Sequence, residues 1–258
     1  MTTKKKVEKV LDKHPRFVMM MNSAGYTKKY LINKLCCVAN NFIFMGDHDG
    51  VIGETNSVKD KCLDAFCEMI WGKAVKNTEL PTSIHRRMHG RPMGEIFVAI
   101  AKDCYNTTIN LTDGEKITAQ LNDYIRPEYI KRRMYEGAYE FLSILKEIGT
   151  PMFILTGMEP DMIEERFRYH KFDNIFNGIL GAPQTKEQNI AEILNKYPNR
   201  RILATGDAIS EFKATMAHQC TVFLAFDMEK REKRVFPDEV NILTSYGTPV
   251  WKELFRQI

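Results

Sequence analysis

Two acidic residues two places apart, Asp47 and Asp49, with Gly50 behind them, close the apolar run Phe42-Ile43-Phe44-Met45-Gly46. Asn40-Asn41 on one side and Gly46 and Gly50 on the other give this run the length and punctuation of a buried parallel strand rather than a helix. Ligands in open α/β sheets bind just past the carboxyl ends of such strands. Side chains two apart along an extended chain point to the same side, which predicts that Asp47 and Asp49 face one site from one edge. Like charges that close raise each other's pKa unless a cation compensates. Hard divalent cations take oxygen ligands of this kind, often with phosphate supplying others, so the stretch suggests a metal ion and a phosphate. Asp-x-Asp-Gly also occurs in ordinary turns. A calcium loop is excluded, because an EF-hand needs an oxygen ligand at its fifth place, Gly at its sixth and Glu at its twelfth, and counted from Asp47 those places hold Val51, Ile52 and Val58.

Two further apolar runs end in polar residues suited to the same chemistry. Pro151-Met152-Phe153-Ile154-Leu155 leads into Thr156-Gly157, and Arg201-Ile202-Leu203-Ala204-Thr205 leads into Gly206-Asp207. Helical periodicity separates these runs: Ala138 to Ile148, closed by Gly149 as a C-cap, Pro160 to Tyr169, Lys186 to Lys196, and a helix around Glu211 to Ala217. Strands at Thr221 to Phe226 and Val240 to Thr244 and a terminal helix from Pro249 complete the order. Strands alternating with helices predict an α/β fold with a doubly wound parallel, Rossmann-like sheet.

Between the first two strands, residues 56–132 read as helical throughout. Val58, Cys62, Leu63, Phe66, Cys67 and Ile70 form one stripe and Ile96, Phe97, Ala99, Ile100 and Cys104 another, broken by Pro81, Gly90-Arg91-Pro92 and Gly114. This predicts a helical cap over 56–132 inserted into a core made of 41–55 and 133–258. Residues 1–40 form an N-terminal helical extension, with Val7, Val10 and Leu11 and then Leu31, Ile32, Leu35, Val38 and Ala39 at helical spacing. Those stripes are expected to cover the main domain or a second subunit, so a homodimer through the extension is a further expectation.

At Asp47-His48-Asp49-Gly50, Thr156-Gly157 and Gly206-Asp207 the sequence resembles the haloacid dehalogenase superfamily of phosphotransferases, in the branch with a helical cap after the first strand that includes phosphoglycolate phosphatases and β-phosphoglucomutases. The resemblance covers about residues 42–258 and leaves the extension outside. It implies Asp47 as nucleophile and Asp49 as general acid/base, with the main-chain carbonyl of Asp49 as a metal ligand. It implies Thr156 and the Gly157 amide as phosphate donors and Lys186, opening a helix, as the charge balancing Asp47 and the phosphate. Asp207 would bind Mg²⁺, and Glu211, four residues on, stands where the family more often has Asp, as a metal ligand or the holder of one. The chemistry is coherent, since phosphoryl transfer needs positioning and neutralisation of spreading negative charge and a carboxylate nucleophile splits one hard step into two.

The cap should set the substrate. In His85-Arg86-Arg87-Met88-His89-Gly90-Arg91 the arginine forks suit phosphate or carboxylate, which makes Arg87 and Arg91 candidate substrate contacts, although a solvated basic turn reads the same way. Twelve places after Asp47 the related mutases carry His and this chain has Lys59, which favours a phosphatase; phosphonate-cleaving relatives and dehalogenases lack the second Asp. A non-catalytic binding protein is the alternative from another class, suggested by the extension and by Gly46, where many relatives are bulky.

Composition sets the remaining bounds. Hydrophobic residues make up 44% and charged residues 27%, ordinary for a globular chain and wrong for disorder or a fibre. A formal charge of +4 and basic residues without interleaved aromatics give no sign of a nucleic-acid partner. No apolar run approaches the roughly 18 residues of a membrane span and Met1 to Lys6 lacks signal-peptide character, so no membrane association and a cytoplasmic location are expected. Six scattered cysteines read as reduced thiols rather than a disulfide framework or metal ligands. The whole points to a Mg²⁺-dependent phosphatase acting on a small phosphorylated metabolite.

Overall fold

The computed structural model describes residues 1–74, 80–88, 91–181, 184–218, 222–228 and 236–258. His89 and Gly90 of the basic cap segment, Ala182 and Pro183 ahead of Lys186, and Cys220 with Thr221 lie outside the described residues.

The extension folds as α1 (Thr3–Lys13), α2 (Pro15–Ser23) and α3 (Lys28–Asn41), with the hydroxyls of Thr2 and Thr27 accepting main-chain amides at the starts of α1 and α3. The chain then enters β1 (Phe42–Gly46) and leaves it for the inserted helices α4 (Asn56–Trp71), α5 (Pro81–Arg87), α6 (Met93–Tyr105) and α7 (Leu111–Lys131). It returns through α8 (Ala138–Ile148), β2 (Met152–Leu155), α9 (Pro160–Tyr169), β3 (Gly178–Leu180), α10 (Lys186–Lys196) and β4 (Arg201–Gly206). It ends with α11 (Ile209–Ala217), β5 (Val222–Phe226), β6 (Ile242–Leu243) and α12 (Thr248–Gln257). The expected strand over 240–244 contracts to the two residues of β6 at the sheet edge.

All strand pairs are parallel, in the order β3-β2-β1-β4-β5-β6. The α/β, doubly wound parallel sheet is therefore present. Between β1 and β4 the winding reverses, so their outgoing loops part and leave a crevice at the carboxyl edge. In β1, Phe42 and Phe44 enter one apolar layer, shared with Phe141 and Leu145 of α8 and Trp251 of α12, while Ile43 and Met45 enter the other with Ile190, Ile193 and Ala214. Burial on both faces is why these strands read as unbroken apolar runs rather than alternating ones.

The apolar stripe of the extension is covered within the chain. Val7, Leu11, Phe17, Met21, Leu31 and Leu35 are buried, and the Phe17 ring lies 4.8 Å from Trp251, which lies 4.8 Å from Phe141. Lys34 donates to the main-chain carbonyls of Phe255 (2.9 Å) and Ile258 (3.0 Å), a cation at the carboxyl end of α12 where the helix dipole favours one. No described helix is long and apolar enough to cross a membrane. Phe17→Ala should therefore cost the whole domain roughly 3 to 5 kcal/mol of unfolding free energy, read as a lower urea midpoint for the single transition; an unchanged midpoint would mean that the extension unfolds on its own.

Candidate active site

β1 stops at Gly46, so Asp47 and Asp49 sit in the loop beyond it rather than on the strand, and the alternation that would aim both to one side does not apply. A Cβ at Gly46 would lie 2.7 Å from the Phe44 ring and 3.1 Å from the Thr205 hydroxyl, so the absence of a bulky residue there reflects a ring folded over the strand end. Asp47 is held against β4 by its amide, which donates to the Thr205 carbonyl at 3.0 Å. Its carboxylate accepts from the Lys186 ammonium at 2.7 Å, and the same ammonium donates to Glu211 at 2.7 Å. The other Glu211 oxygen accepts the amides of Asp207 (2.8 Å) and Ala208 (3.0 Å), capping the start of α11.

Oxygens of Asp47, Asp207 and Glu211 lie within 4.8 Å of one another. Burial, and after it the Glu211 carboxylate, push Asp47 well above the ordinary carboxylate range, with Asp207 and Asp49 adding to the effect and Lys186 opposing it. Burial works against the charge on Lys186, but Asp47 and Glu211 outweigh it and raise the ammonium above its usual value. Three crowded carboxylates with one ammonium form an all-oxygen donor set with negative charge to spare, which fits a hard divalent cation. Gly50 lets them assemble. Its φ is +73°, and a Cβ there would stand 2.1 Å from Asp207 Oδ2 and 2.3 Å from Asn56 Nδ2, atoms joined by a 2.9 Å hydrogen bond.

Asp49 turns to a second set of partners. Its Oδ1 accepts from Thr55 (2.5 Å), Tyr129 (2.5 Å) and His48 Nδ1 (3.1 Å), and its Oδ2 from Lys59 (2.5 Å). Burial raises its pKa, yet the Lys59 ammonium and the His48 contact outweigh burial and hold the carboxyl well below its ordinary value. Thr156 is buried just past the end of β2, its hydroxyl accepting the Met158 amide at 3.0 Å. A Cβ on Gly157 would meet nothing within 4 Å.

No protein-family model matches the chain, and no curated protein matches it in sequence. Solved structures do match. A HAD hydrolase of family IA, variant 3, from Entamoeba histolytica is 13% identical with a TM-score of 0.68, over 83% of this chain and 98% of that one. A predicted phosphatase from Clostridium acetobutylicum is 14% identical with a TM-score of 0.62, over 84% and 98%. A predicted phosphoglycolate phosphatase from Haemophilus somnus is 15% identical with a TM-score of 0.56, over 71% and 84%. The chain has the haloacid dehalogenase-like fold.

On that haloacid dehalogenase-like fold the structure brings Asp47, Lys186, Asp207 and Glu211 into one cluster and sets Asp49 beside it. Arg87 and Arg91 are exposed in the inserted segment, facing Asp103 at 3.6 Å and Glu95 at 3.4 Å. Sequence reasoning missed Asn56, Tyr129, His48 and Arg166, and it weighed Lys59 only as a residue that is not His. One of these carried a signal, since Arg166 falls on the buried stripe of α9 with Met162, Ile163 and Phe167. A raised pKa means that the ionised Asp47 costs stability at neutral pH, because stability from such a group is present below its unfolded value and lost as pH rises. Asp47→Asn in EDTA at pH 7 should therefore unfold at a higher temperature than the wild type by calorimetry; a lower midpoint would show that the Lys186 pair outweighs the crowding.

Proposed function

We propose that this protein is a Mg²⁺-dependent phosphatase that hydrolyses a small phosphorylated metabolite through a phospho-aspartate on Asp47. The observation that carries this reading is the Lys186 ammonium bridging Asp47 and Glu211, with Asp207 against them, at the crevice between β1 and β4. A non-catalytic scaffold needs no such concentration of opposed, buried charge.

In the first half-reaction an Asp47 oxygen attacks phosphorus and the bond to the leaving oxygen breaks. Lys186, the Thr156 hydroxyl and the Gly157 amide hold the other phosphoryl oxygens, as charge spreading in phosphoryl transfer requires. Asp49 gives a proton to the departing oxygen. In the second half a water attacks the acyl phosphate, Asp49 takes its proton, and phosphate leaves with Asp47 restored. Asp47, Asp207 and the main-chain carbonyl of Asp49, with Glu211 close by, would hold Mg²⁺, which would supply positive charge against the phosphoryl oxygens. Both Glu211 oxygens already accept hydrogen bonds, which suits it to holding Lys186 in place.

With Lys59 on Oδ2, Asp49 is a carboxylate, the form that receives a proton. Before Asp49 can act as an acid, substrate must draw Lys59 off this oxygen and the carboxylate must take up a proton, which a phosphate monoester monoanion can bring; because Lys59 belongs to α4 this links proton transfer to the seating of the cap. A lysine at this position, where the phosphosugar mutases have His, favours the phosphatase over the mutase.

The primary assay is hydrolysis of p-nitrophenyl phosphate. Turnover should require Mg²⁺ and fall by about three orders of magnitude or more in Asp47→Asn; equal rates in the two proteins would overturn the nucleophile assignment. A second assay ranks a panel of phosphorylated metabolites by phosphate release. Because Arg91 is exposed and faces Glu95, Arg91→Ala should leave the ranking unchanged; a reordered ranking would assign it to the substrate.

A further inference from the structure

Arg166 is fully buried, and among the described residues no carboxylate pairs with it directly. Its guanidinium is anchored by main-chain carbonyls: Nη1 donates to Tyr129 and Ile130, and Nη2 donates to Arg133 at 3.0 Å. Nε donates to His48 Nε2 at 3.1 Å. A buried charge without an opposite partner is expensive, and an apolar residue of similar size would serve packing as well or better. Its retention asks for a role beyond filling space.

The hydrogen bond to His48 supplies one. A guanidinium keeps its protons, so Nε2 of His48 must accept, and the proton of the neutral ring must sit on Nδ1. That Nδ1–H faces Asp49 Oδ1 at 3.1 Å and the Tyr129 oxygen at 3.2 Å, while the Tyr129 hydroxyl gives its own hydrogen to Asp49 Oδ1 at 2.5 Å. The ring has no room to turn. It is fully buried with Phe167 edge-on at 5.4 Å, and a Cβ at Gly53 would stand 2.9 Å from its Cε1 and 2.7 Å from Arg166 Nη2.

We propose that His48, fixed in one tautomer by Arg166, is a positioning residue that pins Oδ1 of Asp49 and so dedicates Oδ2 to proton transfer with the leaving group. The proposal rests on the phosphatase reading above. Oδ1 already accepts from Thr55, Tyr129 and His48, whereas Oδ2 meets only the displaceable Lys59 among the described contacts.

The test separates positioning of an acid from general damage. A p-nitrophenolate leaves with little help from an acid, and an alkoxide needs one, so kcat/KM is measured for p-nitrophenyl phosphate and for glycerol 2-phosphate on the same preparation. The active fraction cancels in the ratio. His48→Leu should lower kcat/KM about 100-fold for the alkyl ester and only about 3-fold for the aryl ester. His48→Asn, whose amide keeps a donor near the place of Nδ1, should recover most of the alkyl-ester rate. Arg166→Met, which frees the ring to take the other tautomer, should reproduce the split and carries the comparison if His48→Leu does not fold. Parallel losses on both esters, or no rescue by Asn, overturn the positioning role while leaving the phosphatase standing. A wild type that turns over only the aryl ester also overturns it. A wild type that hydrolyses neither ester with Mg²⁺ overturns the phosphatase reading and this inference with it.

Discussion

One ammonium among three carboxylates is the constraint around which the molecule is arranged. Lys186 touches Asp47 and Glu211 at 2.7 Å each, and the sheet and two helix starts are shaped to bring the three groups there. β1 and β4 pair in parallel with Gly46 opposite Thr205, so Asp47 and Asp207 leave the sheet at the same edge. Lys186 is the first residue of α10, where the helix dipole disfavours a cation, and a reciprocal capping box between Thr185 and Gln188 secures that helix start. A lysine in a dipole-opposed position, drawn to two acids on other elements, is explained by the site rather than by the helix. Glu211 serves both structures at once, ending the α11 amides with one oxygen and the Lys186 charge with the other.

The inserted helices are tied to this site through a few side chains. Asn56 at the start of α4 holds Asp207, Lys59 one turn later holds Asp49, and Tyr129 near the end of α7 holds Asp49 from the opposite side. Lys59 and Asp49 expose only 16% and 13% of their side chains, so this pair is poorly screened and counts for more than the exposed pairs on the cap surface. The two chain crossings between the sheet and the inserted helices thus carry residues that contact Asp49 and Asp207. A shift of the cap changes the hydrogen bonds on Asp49 and Asp207 without any need for a long-range path.

The sheet was legible in the sequence because its strands are buried on both faces and so appear as short, continuous apolar runs, and the helices between them because their stripes are regular and their ends marked, as at Gly149. The acid, hydroxyl and ammonium positions followed from the resemblance at the strand ends. What escaped was the tertiary hydrogen bonding. His48 to Arg166 spans 118 residues and Tyr129 to Asp49 spans 80, and pairs that distant leave no local pattern. The period of two used for Asp47 and Asp49 ends where the strand ends, at Gly46, and beyond it the two carboxylates take different partners. Arg166 was within reach of the sequence, as a charged residue on a helix face otherwise committed to the core.

Asp47 and Asp49 show how one loop can shift two carboxyls in opposite directions. Asp47 is crowded by Glu211 and Asp207 and pushed up; Asp49 is surrounded by donors and a cation and held down. Environments that drive paired carboxyls apart are how a site assigns them different work. Excess negative charge around Asp47 can be relieved by a proton or by a divalent cation, and the two compete for the same place. Relief by a proton would leave a poor nucleophile, whereas relief by a cation would leave the carboxylate ionised. The same crowding that makes Asp47 costly to ionise in the folded chain is therefore what would make a metal ion effective there, and Gly50, by admitting Asp207 to the cluster, is the backbone feature on which that crowding depends.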